Sequence, residues 1–193
     1  MCGWGLHQAI TTWIRCAWGK FKELLPLLSS MSISWRRKGH LFDTVVRKAM
    51  LHASECWAPT KDDISRLNRT DRAMLRWICK VRLSDRLSSD TLLAKLHLIP
   101  LEDVLRSGRL RWYGHVTRSK AWINKVTKLN IQGNVPRGRP KKTWPQCVQE
   151  DLKLWKLTRT DPTERLTWRN NVQQRLKQRK PVEPVAQTTE QTT

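Results

Sequence analysis

The sequence predicts an all-α protein: a multi-helix, bundle-like array with a basic Gly/Pro-containing loop and a disordered C-terminal tail. Three observations carry this reading. Apolar residues recur at helical spacing in segment after segment, side chains able to cap a helix precede several of these stripes, and no alternating β-branched run is long enough to make a strand.

The first helix is expected from Ala9 to Leu28, where Ile10, Trp13, Ile14, Ala17, Trp18, Phe21, Leu24, Leu25 and Leu28 share one face and Lys20, Lys22 and Glu23 lie off it. Pro26 should kink or end it near the last turn, because proline removes a backbone donor and clashes with the preceding turn. After a short serine-rich loop, a second helix should run from Trp35 or His40 to Ser54, burying Leu41, Val45, Ala49 and Leu51 or their neighbours, until Ala58-Pro59 breaks it. Thr60 followed by Asp63 forms a variant of the capping box, so a third helix begins there with Ile64, Leu67, Met74, Leu75 and Ile78 inward. A short helix is expected around Leu92, Leu93 and Leu96.

Pro100 suits the first turn of the next helix, in which Leu101, Val104, Leu105, Gly108 and Trp112 form a stripe, with Arg106, Arg109 and Tyr113 on the other side. Residues Asn130 to Arg139 are rich in Gly and Pro and read as a loop. Thr143-Trp144-Pro145-Gln146 opens another helix with Trp144, Cys147, Val148, Leu152 and Trp155 on its apolar face. Asp161-Pro162-Thr163-Glu164 repeats that start signal before Leu166, Trp168, Val172 and Leu176. Past Lys180 the Pro-, Thr- and Gln-rich tail has little to bury and is expected to be disordered.

With 193 residues, the chain suits one compact domain or two small ones. Thirty-seven Lys and Arg against 16 Asp and Glu give a formal charge of +21, too large for an ordinary cytosolic enzyme unless its partner is anionic. The excess is concentrated: between Val104 and Gln149 there are eleven basic residues and no acid. Such a one-signed surface attracts polyanions, of which nucleic acid is the commonest in a cell. Candidate contacts are Arg106, Arg109, Arg111, His115 and Arg118 from the helix, and Arg137, Arg139, Lys141 and Lys142 from the loop. The string Pro136-Arg137-Gly138-Arg139-Pro140 matches the core of an AT-hook, an extended segment whose arginines lie along a narrow A·T minor groove. A basic loop that touches phosphates without reading sequence fits these residues equally well.

The five cysteines are widely spaced and include no Cys-x-x-Cys pair, so neither a disulfide framework nor a zinc finger is expected, and a reducing compartment fits. With no leader-like start and no run approaching the ~20 apolar residues of a membrane span, the expectation is a soluble intracellular protein, nuclear or cytoplasmic, that engages no membrane. Asp62-Asp63 is the only adjacent aspartate pair, but at a helix start such acids serve the helix dipole better than a metal. His115 has no acid near it in sequence to make a general base. No nucleophile elbow or phosphate-binding glycine loop occurs, so no catalytic residue, metal ligand or cofactor is assigned. Among the eleven tryptophans, Trp13, Trp77, Trp144 and Trp168 fall on apolar stripes and are expected in the core, while Trp112 and Trp122 remain candidates for stacking on bases.

Five strings in order resemble the C-terminal part of reverse transcriptases from non-LTR (LINE-type) retrotransposons. They are Ile14-Arg15-Cys16-Ala17-Trp18-Gly19-Lys20-Phe21, Ala49-Met50-Leu51-His52-Ala53-Ser54-Glu55-Cys56-Trp57, Met74-Leu75-Arg76-Trp77-Ile78-Cys79, Arg109-Leu110-Arg111-Trp112-Tyr113-Gly114-His115-Val116, and Gly138-Arg139-Pro140-Lys141-Lys142-Thr143-Trp144 with Asp151-Leu152 after it. The resemblance covers roughly residues 9 to 175. It implies a thumb-like helical region over 1–80, a basic helical extension over 81–180 and a tail over 181–193. It also implies RNA or DNA as partner, and a polymerase palm against which the thumb packs. The palm's Tyr-x-Asp-Asp signature is absent, so the resemblance implies a non-catalytic fragment or remnant of such an element, not a polymerase. The alternative is an orphan helical interaction module without a nucleic-acid function of its own.

Overall fold

The computed structural model describes residues 5–119 and 142–179, and every regular element within them is helical. Helix α1 spans Leu6–Ser29 and passes through Pro26 without ending there. Its buried residues Ile10, Ala17, Phe21 and Leu28, flanked by half-buried Trp13, Ile14, Trp18, Leu24 and Leu25, are the stripe read from the sequence. Helix α2, Trp35–Leu41, runs into a π-helical stretch, Phe42–Arg47, and then into the single turn α3, Lys48–Met50. Phe42, Val46, Met50 and Leu51 are buried while Leu41, Val45 and Ala49 are half-buried, so the inward set falls on Leu51 and on neighbours of the other expected residues.

Arg47 is buried beside Val46. Its Nε and Nη2 each donate to Asp71 at 2.8 Å, and Nη1 donates to the Ile99 carbonyl at 2.8 Å. Burial opposes the guanidinium charge, but Asp71 and Asp43 outweigh it and hold the group more firmly protonated than usual. A planar fork against a carboxylate is the geometry that lets two buried charges satisfy each other.

Helix α4, Lys61–Cys79, starts at the expected capping box, in which Thr60 and Asp63 bond each other's backbone N–H. Helix α5, Ser89–Lys95, is capped by Ser88, and α6 is Leu101–Arg118. Helix α7, Trp144–Leu154, begins at the Thr143–Gln146 box. Helix α8, Arg165–Lys177, begins four residues after Asp161, whose carboxylate instead accepts from the Thr163 N–H in the turn before it.

Two apolar cores result. The larger joins α1, the α2–α3 segment, α4, α5 and the start of α6, from Ile10 to Leu105, and so draws on both sides of position 80. The smaller joins Leu110 of α6 to Val148, Leu152, Trp155, Leu157, Trp168 and Val172. Helix α6 is therefore covered on two faces, and the Trp168 indole N–H donates to the Leu110 carbonyl at 3.0 Å across the second. Gly114 permits that approach, because a Cβ there would overlap the Trp168 ring. Trp77 is 62 % exposed and Leu166 74 % exposed, so neither reaches the core expected for it. Cys16, Cys56, Cys79 and Cys147 are thiols, and no helix among the described residues is long and apolar enough to cross a membrane.

Candidate nucleic-acid interface

The expected contact residues separate into three groups. Arg137, Arg139 and Lys141 lie outside the described residues. Arg106, Arg109, Arg118 and Lys142 are engaged within the protein. Arg111 and His115 face outward.

Arg109 is the clearest correction. It is buried, with Nε 2.8 Å from Asp151 Oδ2, and its Nη1 donates to the Trp57 carbonyl at 3.3 Å. The acid comes from α7, far along the chain, which is why the local absence of carboxylates concealed it. Arg106 is similarly committed: Glu102 and Asp103 each lie 2.9 Å from its guanidinium, and Asp151 lies 3.7 Å away. Burial pushes the Asp151 carboxyl above the ordinary aspartate range, against the pull of Arg109 and Arg106. Arg118 donates to the Pro162 carbonyl at 2.6 Å and ties the end of α6 to the turn before α8. Lys142 pairs with Glu150 at the surface, where such a pair contributes little.

With two faces of α6 covered, the third carries Val104, Gly108, Arg111, Trp112 and His115, positions i, i+4, i+7, i+8 and i+11 of one helical strip. This strip forms one wall of a groove of about 660 Å³. The other wall comes from the π-helical stretch, α3 and the turn after it, and includes Asp43, Lys48, Leu51, His52, Ala53 and Glu55. Ala53 turns the chain there with φ 54°, and Trp144 fastens the turn from behind by donating to the Glu55 carbonyl at 2.7 Å. A second groove of about 420 Å³ shares Asp43, Lys48, Val104 and Arg111 with the first and continues to Arg36, His40 and His97.

The joined groove thus gathers Arg36, Lys48 and Arg111, none of which makes an ion pair among the described residues. It also has flat aromatic surfaces. Trp112 and His115 stack with centroids 5.2 Å apart at 29°, and His52 is backed by Trp13 at 4.5 Å. Sequence reasoning missed Arg36, Lys48 and His52. They lie outside the acid-free stretch and reach α6 only through the fold, so no local signal marked them.

His7, Asp62 and Asp63 also come together, with ligand atoms within 4.8 Å of one another. Asp63, however, accepts from the Thr60 N–H at 3.1 Å and hydroxyl at 2.7 Å, with His7 Nδ1 3.1 Å away. Arg66 Nη1 stands 3.0 Å from the same His7 nitrogen, so a cation already sits beside that group. The arrangement is a helix cap.

No family model, curated protein or solved structure matches this chain.

Proposed function

We propose that this protein is a non-catalytic nucleic-acid-binding module, and that the groove beside α6 is its described contact surface. The observation that carries the reading is the convergence of Arg36, Lys48 and Arg111 on one groove with no ion pair to neutralise them, in a chain of formal charge +21. Cations in this state release condensed counterions when they meet phosphates, which is the main source of affinity for a polyanion. The sequence resemblance to the thumb and post-thumb region of non-LTR reverse transcriptases supports the same reading. It would make the chain a derivative of such an element, contacting a template, a primer or a target strand. Arg137, Arg139 and Lys141, outside the described residues, support the reading through their charge alone, and Lys142 is paired with Glu150.

Binding of labelled RNA and DNA across a salt series tests this. Log affinity should fall with log salt by about 0.9 per neutralised phosphate on duplex DNA and about 0.7 on a single strand. Arg36→Ala, Lys48→Ala and Arg111→Ala should each lower the slope by roughly one such contact, whereas three variants that bind like the parent protein would refute the surface.

A second reading, an orphan module that packs on a polymerase palm, is favoured by a different observation. Lys80 Nζ lies 3.6 Å from Met31 Sδ, joining the segment after α1 to the end of α4, where Met31 is 81 % and Trp77 62 % exposed. Large apolar side chains left exposed in this part of the protein are what a missing protein partner would cover. Self-association of the purified protein, without affinity for RNA or DNA, would favour it over the first.

A further inference from the structure

We infer that the groove receives an unpaired base, stacked on the Trp112–His115 pair above Gly108, so that the protein prefers single-stranded to duplex nucleic acid. This rests on the nucleic-acid reading and specifies which part of the polymer enters the groove.

The lining is mixed in sign, so phosphate contacts alone do not account for it. Asp43 and Glu55 stand in it beside Lys48 and Arg111, and carboxylates repel phosphates. The same carboxylates accept hydrogen bonds from the exocyclic amines of a base or from a ribose hydroxyl. Trp112 and His115 offer flat faces from α6, and His52 offers a third from the other wall. Stacking on such faces is tolerant of sequence and needs a base that has left its own stack. The volume, about 660 Å³, falls in the range of small-molecule pockets and is ample for a base.

Gly108 is the most telling residue. Gly39 and Gly114 are required by packing, since a Cβ at either would overlap the Leu96 carbonyl or the Trp168 ring. At Gly108, as at Gly19 in α1, a Cβ would meet nothing within 4 Å, and of these two Gly108 lines the groove. A glycine inside a helix weakens it relative to alanine, and nothing in the fold requires this one. What its missing side chain does is leave room between Val104, Trp112 and the opposite wall.

The experiment compares wild type, Gly108→Leu, Gly108→Ala, Trp112→Ala and Trp112→Phe by fluorescence anisotropy with labelled oligonucleotides. The probes are a single strand, its blunt duplex, and the same single strand with abasic sites, which keeps every phosphate and lacks the bases. Wild type should bind the single strand most tightly and lose affinity on the abasic strand. Gly108→Leu and Trp112→Ala should lower single-strand affinity roughly 5- to 100-fold, the range for one lost stacking contact, and narrow the preference for single strand over duplex. Gly108→Ala and Trp112→Phe should stay close to wild type, and thermal melts confirm that each variant folds. Equal wild-type affinity for intact and abasic strands, or a folded Gly108→Leu that binds single strands like wild type, overturns the base site and leaves phosphate binding standing. Absence of binding to every probe overturns the nucleic-acid reading itself.

Discussion

Arg109 Nε lies 2.8 Å from Asp151 Oδ2 with both side chains buried, and this pair fastens α6 to α7. The two atoms are in contact but not aligned as a hydrogen bond, so the attraction is mainly that of opposite charges. That burial pushes the Asp151 carboxyl upward despite two arginines means desolvation outweighs the attraction. Such a pair adds little net stability, yet breaking it is costly because one charge is stranded. Asp151→Ala should therefore lose about 3–5 kcal/mol in urea unfolding, whereas Arg109→Met with Asp151→Leu should be near neutral or more stable. Nucleic-acid affinity of the folded double variant should equal wild type, since Arg109 faces the interior.

Three glycines on helices should respond in opposite ways to the same substitution. Gly39→Ala forces a methyl into the Leu96 carbonyl, and Gly114→Ala forces one against the Trp168 indole, so each should cost about 1–3 kcal/mol or more. Gly108→Ala meets open space and should gain up to about 1 kcal/mol of helix propensity. Thermal melts of the three variants separate glycines that serve packing from the one that shapes the groove.

Most of the fold was legible because its signals are local. The α1 stripe, the Thr60–Asp63 box and the Thr143–Gln146 box each lie within a few turns of chain, and each formed as expected. That Phe42, Val46 and Met50 point inward, and not the residue before each, was hidden because Leu41-Phe42, Val45-Val46 and Ala49-Met50 are apolar in both registers. The proposed contact surface was only partly legible for a related reason. Charge counted along the sequence cannot show that Asp151 returns to cover Arg106 and Arg109, or that Lys48 and Arg36 come round to join Arg111. Trp77 sat at a plausible helical position, but α4 buries Met74, Leu75 and Ile78 and turns the indole outward.

The cap of α4 should make stability depend on pH in acid. Burial alone would raise the Asp63 carboxyl, but hydrogen bonds from Thr60 and the contact with His7 prevail and hold it below the usual range. Because the folded value is depressed, the contribution is fully present above the unfolded aspartate value near pH 4 and is lost as pH falls through the lower folded value. Asp151 has the opposite sign, so the comparison must isolate the cap. Thr60→Ala removes the hydroxyl's hydrogen bond to the Asp63 carboxylate and its capping of the Asp63 N–H, while the residue-60 backbone N–H still donates, and should cost about 1 kcal/mol at neutral pH. It should also flatten the fall in melting temperature below pH 4, and an unchanged acid slope would count against the cap as its source.

Trp77 gives the test that separates the two functional readings. An indole 62 % exposed on α4 contributes little packing, so Trp77→Ser should change folding stability by no more than about 0.5 kcal/mol. The same holds for Met31→Ser, whose side chain touches the Lys80 ammonium at the surface. If these residues meet a protein partner, the double variant should suppress self-association of the isolated chain in sedimentation velocity while its melting temperature stays put. Under the nucleic-acid reading, affinity for a single strand should survive the same changes, because Trp77 and Met31 do not line the groove beside α6. Parallel loss of oligonucleotide binding would instead merge the two surfaces into one and place the partner-binding reading first.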